Sequence, residues 1–130
     1  MAELKIPEGY QYSEKHEWVK VEGDTLLLGI TDYAQSNLGD IVFIELPDVD
    51  SQLEAEDSFG TIESVKAVDD LYAPVSGTVV AVNSDLDAEP AKVNEDCYSA
   101  WILKLKFDKQ EEVDKLMDAN AYKEFVASLG

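Results

Sequence analysis

Between residues 18 and 107 the apolar and β-branched residues gather in segments four to seven residues long, and each segment ends in turn chemistry. A chain punctuated at that interval is confined to short strands. Residues 18–21 and 25–30 flank Glu22-Gly23-Asp24, which has hairpin composition. Thr31 or Asp32 caps a helical turn through Tyr33-Ala34-Gln35, and Gly39 closes it. Residues 41–46 are nearly all apolar up to Pro47, so the pattern predicts a central strand covered on both faces. Residues 48–57 are polar and read as a loop. Strands are predicted at 58–63 and 68–73 around a short turn, then at 78–82 after Ser76-Gly77. Residues 83–96 read as another polar loop.

Residues 101–107 alternate, with Ile102, Lys104 and Lys106 opposite Trp101, Leu103, Leu105 and Phe107, as in a half-buried strand. After it the period changes. Asp108 and Glu111 have the spacing of a capping box, and Val113, Leu116, Met117, Ala121, Phe125 and Leu129 follow at helical spacing. Asn120 is placed to divide this stretch into two short helices. The expected fold is mainly β, a flattened antiparallel sandwich or barrel with short helices, including a C-terminal helical segment. At 130 residues, with no linker or repeat, one domain is expected over 1–130: a β core over about 16–107 and a helical segment over about 108–129.

Charge removes whole classes of function. Ten Lys and no Arg stand against 28 acids, for a net charge of −18. Nucleic acid and anionic lipid both demand the opposite balance. No apolar stretch approaches the roughly 20 residues of a membrane span. Met1-Ala2-Glu3-Leu4-Lys5 lacks the apolar core of a signal peptide. The lone Cys97 has no internal disulfide partner, which points to a reducing compartment: the cytoplasm, or an organelle once a leader is removed. The acid excess either keeps a monomer in solution or steers it toward positively charged partners.

Intrinsic catalysis has little to draw on. His16 and Cys97 are single copies, leaving only a Cys–His dyad assembled in three dimensions. No zinc spacing or phosphate loop occurs, so no enzyme is expected. One residue stands out. Across residues 21–91 there are sixteen carboxylates and a single base, Lys66, at the turn between two predicted strands. Lys66 either balances neighbouring acids, worth about 0–1 kcal/mol at a surface, or serves as the attachment point for an acyl group.

The motifs meet a family at this point. His16-Glu17-Trp18, Gly29-Ile30-Thr31-Asp32-Tyr33-Ala34-Gln35, Leu38-Gly39-Asp40 and Glu45-Leu46-Pro47 come first, in that order. Glu63-Ser64-Val65-Lys66-Ala67, Ala73-Pro74-Val75-Ser76-Gly77, Val93-Asn94, Tyr98, Trp101 and Ala121-Tyr122 with Phe125 complete the series. Together they resemble the H proteins of the glycine cleavage system. Two departures stand out: Cys97-Tyr98-Ser99-Ala100-Trp101 lacks a Pro and a Gly usual in the family and is one residue shorter between the aromatics, and Tyr33 replaces a frequent His.

The resemblance implies a barrel-sandwich hybrid of the lipoyl-domain type and a non-catalytic carrier. Lys66 would hold lipoic acid in amide linkage, an arm of roughly 15 Å from bonds near 1.5 Å, within a recognition turn of Glu63, Ser64, Val65 and Ala67. Glu17, Asp70 and His16 would line a cleft that shelters the arm. The implied partners are a pyridoxal-phosphate glycine decarboxylase, a tetrahydrofolate-dependent aminomethyltransferase, dihydrolipoamide dehydrogenase, and a lipoate ligase or lipoyl/octanoyl transferase. The alternatives are an H-like protein relaying lipoyl groups to other acceptors and an unmodified acidic interaction module. A biotinyl domain would place its lysine between two Met residues, whereas Lys66 lies between Val65 and Ala67.

Overall fold

The computed structural model describes residues 4–129, so the expectations for residues 1–3 lie outside it. In chain order the elements are β1 (Gln11–Tyr12), β2 (Glu17–Glu22), β3 (Thr25–Ile30), α1 (Asp32–Leu38), β4 (Ile41–Glu45), β5 (Gln52–Leu53) and β6 (Ser58–Ser64). β7 (Val68–Tyr72), β8 (Gly77–Val82), α2 (Asp85–Ala88), α3 (Lys92–Glu95), β9 (Leu103–Phe107), α4 (Gln110–Asp114) and α5 (Ala119–Leu129) follow.

Short antiparallel strands with tight turns build two sheets. The larger runs β1-β2-β3-β9-β8-β5 and the smaller β4-β6-β7. The alternation of β3 and β9 turns Leu26, Leu28, Leu103 and Leu105 inward, and Ile44, Ile62 and Leu71 meet them from the smaller sheet in one buried cluster. Each such side chain contributes about 1.5–3 kcal/mol by leaving water. The result is a sandwich of two separate sheets, with no closed barrel. A second cluster docks α5 outside it, where Tyr12 stacks on Tyr122 at 4.7 Å beside Trp18.

Within the smaller sheet, β4 and β6 approach closely at Gly60. A Cβ there would collide with the backbone carbonyl oxygen of Glu45 on β4. Gly60→Ala should therefore push β4 away from β6 and cost about 3 kcal/mol, in the upper range of overpacking, measurable by urea denaturation.

Several local expectations are corrected. Residues 41–46 are not a central strand: β4 is an edge bonded to β6 alone, and a bulge between Ile41 and Phe43 leaves Val42 and Phe43 facing solvent. The loop at 48–57 contains β5, which pairs with β8, and the loop at 83–96 contains α2 and α3, pinned by buried Leu86 and Val93. No capping box forms at α4, whose N-cap is Lys109 without a side-chain bond. Glu112 reaches away instead, accepting from Ser76 N–H at 2.8 Å and Ser76 Oγ at 3.1 Å. The helical stretch breaks before Asn120, because Met117 bonds in extended fashion to Tyr12 and Asp118 Oδ1 then accepts from Ala121 N–H at 2.8 Å. Ile102 is buried along with Leu103, although simple alternation puts them on opposite faces.

Candidate functional site

Lys66 stands exposed at the tip of the β6–β7 hairpin. Ser64 shapes that turn. Its Oγ accepts from the N–H groups of Lys66 at 3.3 Å and Ala67 at 3.1 Å, while its own N–H donates to Ala67 O at 2.8 Å. The Val65 N–H donates to Asp40 O at 3.0 Å, tying the tip to the connection between α1 and β4.

That connection is itself braced. Gly39 closes α1 at φ +79°, a left-handed conformation that glycine adopts without strain. The same glycine leaves room for Lys66, whose Cε would lie 3.5 Å from a Cβ placed there. Asn94 Oδ1 accepts from Ile41 N–H at 2.9 Å, and its Nδ2 donates to Gly39 O at 2.8 Å and Gln35 Oε1 at 3.0 Å. The sequence names Asn94 only as part of a motif, and no spacing rule links it to a lysine twenty-eight positions earlier. Asn94→Ala should cost about 2 kcal/mol from its unmatched bonds and slow acylation of Lys66, read by denaturation and by intact mass over time.

Beside the tip opens a cleft of about 430 Å³, between the β7 edge, α1 and the turn that precedes β2. His16, Glu17, Ala67 and Asp70 all line it, so the structure brings the three cleft candidates together next to the lysine turn. Glu17 is only 3% exposed. Its Oε1 accepts from Ser13 Oγ at 2.6 Å, and a backbone bond from Tyr72 also favours its charged form. Burial outweighs both and pushes its pKa up to about 7. The charged form of Glu17 is thus disfavoured by its surroundings relative to a solvated carboxylate. At the rim, Lys15 Nζ lies 4.4 Å from the centroid of the Tyr72 ring.

His16 is tied into a polar chain. Its Nδ1 lies 2.8 Å from Tyr122 Oη, which lies 2.8 Å from Thr31 Oγ1, and its ring packs on Tyr33 at 4.4 Å. Burial lowers its pKa, which keeps the imidazole neutral near pH 7. The backbone at His16 takes φ +70°, held by bonds from its own N–H to Ser13 O and from Thr31 N–H to its carbonyl. Tyr33, at the position of a departure from the resemblance, is thus the aromatic wall against which His16 rests.

Asp70 is exposed on β7 and accepts from Tyr72 Oη at 3.4 Å. Glu63 lies half-buried on β6 between Phe43 and Val68, and Val65 points into solvent. Cys97 stands apart, lining a small depression with Asp32 and Asn94. Its buried thiol is pushed up to about 12, and its carbonyl accepts from Trp18 Nε1 at 3.1 Å. No dyad with His16 is built into the cleft, which Cys97 does not line. The altered loop at 97–101 instead secures the start of the chain, since Tyr98 Oη donates to Lys5 O at 2.7 Å.

Comparison with known proteins agrees with this arrangement. A family model described as "Glycine cleavage H-protein" matches residues 10–129. The glycine cleavage system H protein of Leptospira biflexa serovar Patoc is 54% identical over 129 residues, covering 99% of each chain. That of Staphylococcus carnosus is 52% identical over 124 residues, covering 95% of this chain and 98% of its own. A crystal structure of a glycine cleavage system H protein from Mycobacterium marinum superposes with a TM-score of 0.81 at 34% identity, over 96% of this chain and 99% of that one. Full-length agreement in sequence and in the two-sheet architecture leads to one conclusion: the chain belongs to the glycine cleavage H-protein family.

Proposed function

We propose that this chain is a lipoyl carrier, with lipoic acid in amide linkage to Lys66, acting as one non-catalytic domain in the cytoplasm. It would take the aminomethyl group from the pyridoxal-phosphate glycine decarboxylase and deliver it to the tetrahydrofolate-dependent aminomethyltransferase. Dihydrolipoamide dehydrogenase would then collect the electrons. The observation that carries this reading is an exposed primary amine on a braced turn beside a cleft lined by the buried carboxylate of Glu17.

The residues present fit the group. Ala67 and Val68, next to Lys66, form the near end of the cleft, and Ile30, Leu38 and Leu71 give it an apolar wall suited to a hydrocarbon chain. When bound, the lipoyl group supplies a disulfide that accepts two electrons and carries the one-carbon amine on sulfur. The chain's own part is shelter. Glu17 would lose its proton to solvent beside a cationic amine, and the resulting ion pair would hold that charge away from bulk water. Neutral His16 adds no competing charge, and Asp70 at the rim adds a second negative group.

Intact mass of the protein from its own cells, followed by mapping of the modified peptide, tests the proposal. One lipoyl increment on the peptide containing Lys66 is the expected result. Unmodified Lys66 in cells that lipoylate other proteins overturns it.

A further inference from the structure

β4 breaks strand alternation beside the lysine turn. Ile41 pairs with Ser64 and Phe43 with Glu63, so Val42 is the extra residue of a bulge. Val42 and Phe43 consequently both face solvent, 52% and 46% exposed. Phe43, Glu63 and Val68 stand opposite one another across the three strands, and side chains in such a row share a face. Val68 is 63% exposed and Val65, at the tip, 68%. Four exposed apolar side chains thus gather around one amine. Glu63 lies within the row, and Asp40, Glu45, Asp69 and Asp70 adjoin it along the chain as an acidic ring, with Lys66 the sole base across residues 21–91.

Nothing at the tip can activate an acyl donor for Lys66, because Val65, Ala67 and Val68 offer neither base nor nucleophile. The amine must be acylated inside another protein's active site, and that protein must cover this patch. We infer that Val42 and Phe43, together with Val65 and Val68, form an apolar collar that seats against the enzyme transferring an acyl group from an acyl adenylate to Lys66, with the acidic ring meeting Lys and Arg at that enzyme's mouth. The inference rests on Lys66 being the lipoylated side chain. In the step served, the deprotonated Nζ attacks the acyl carbon, a C–N bond forms and the acyl C–O bond to phosphate breaks. AMP leaves with the electron pair, and the original ammonium releases two protons in all. The collar therefore extends the recognition surface beyond the hairpin onto a strand that holds no residue of the turn.

The test uses unmodified full-length chain, a lipoate-adenylating ligase, ATP and octanoate, with initial rates followed by intact mass against acceptor concentration. Val42→Ser with Phe43→Ser should raise KM about tenfold with kcat within twofold, while Val80→Ser, an exposed valine on β8, should match the parent. Phe43→Gln alone, at an edge position where nearly half of the side chain faces solvent, reads the same contact if the double variant is poorly folded, and should raise KM severalfold. Added salt should raise KM for the parent by screening the acidic ring. A KM within twofold of the parent for Phe43→Gln overturns the collar, and a salt-independent KM overturns its ionic rim. A parent chain that is never acylated at Lys66 fails differently: it removes the lipoylation reading, and the collar with it.

Discussion

Lys66→Arg should leave the two sheets intact and abolish acylation, and with it all glycine cleavage supported by the chain. The substitution keeps length and charge, so the turn held by Ser64 and Asp40 has no reason to move. What changes is the availability of a nucleophile. A lysine amine that gives up a proton inside the acylating enzyme has a free electron pair to attack with, whereas a delocalised guanidinium stays charged and is no nucleophile. Intact mass after incubation with the acylating enzyme reads the first effect. A reconstituted assay following release of CO₂ from glycine reads the second. Normal activity in this variant would end the carrier model.

Glu17→Gln should act on stability and on cargo together, and the signs separate the two. The folded pKa near 7 lies above the ordinary 4.5 because the carboxyl is buried. A raised carboxyl value means that stability is fully present below about pH 4.5 and is lost as pH rises through 7. The gap corresponds to about 3 kcal/mol between the two plateaus. Gln has the same shape without the titration, so the stability difference between variant and parent should grow in the variant's favour from pH 4.5 to 8. Urea denaturation across that range measures it. Meanwhile the variant lacks the counter-ion. Removing a charge-assisted contact of about 1.5–3 kcal/mol should shorten the lifetime of the amine-loaded form by roughly ten- to a hundredfold. Glu17→Ala should shorten it too, without impairing lipoylation. An unchanged lifetime would remove Glu17 from the site.

The two substitutions also show where sequence is informative and where it is not. Lys66 stands out from charge counting, since a lone base among sixteen acids is visible without coordinates. The mainly β architecture is equally visible, because the runs and turns are local signals. Glu17 is different. In a chain with 28 acids nothing marks one carboxylate as buried, and the Tyr72 backbone group that bonds it lies more than fifty residues away. β4 misleads for a related reason. Four apolar residues in a row, Ile41 to Ile44, imply cover on both faces, yet the bulge and the edge position expose Val42 and Phe43, and both depend on pairing with β6. The capping box at Asp108 fails because the Asp108 N–H donates to Ser76 O and the N-cap position falls to Lys109, a long-range contact that overrides a four-residue rule.

The hydroxyl of Tyr122 belongs to α5, yet it touches both His16 and Thr31, whose neighbours Glu17 and Ile30 line the cleft beside the lysine turn. One phenol thereby wires α5 to that cleft. A bulky fusion or a proteolytic nick that peels away the last eleven residues of α5 would loosen the imidazole first, so carriers handled through a C-terminal handle should be compared with ones handled from the opposite terminus.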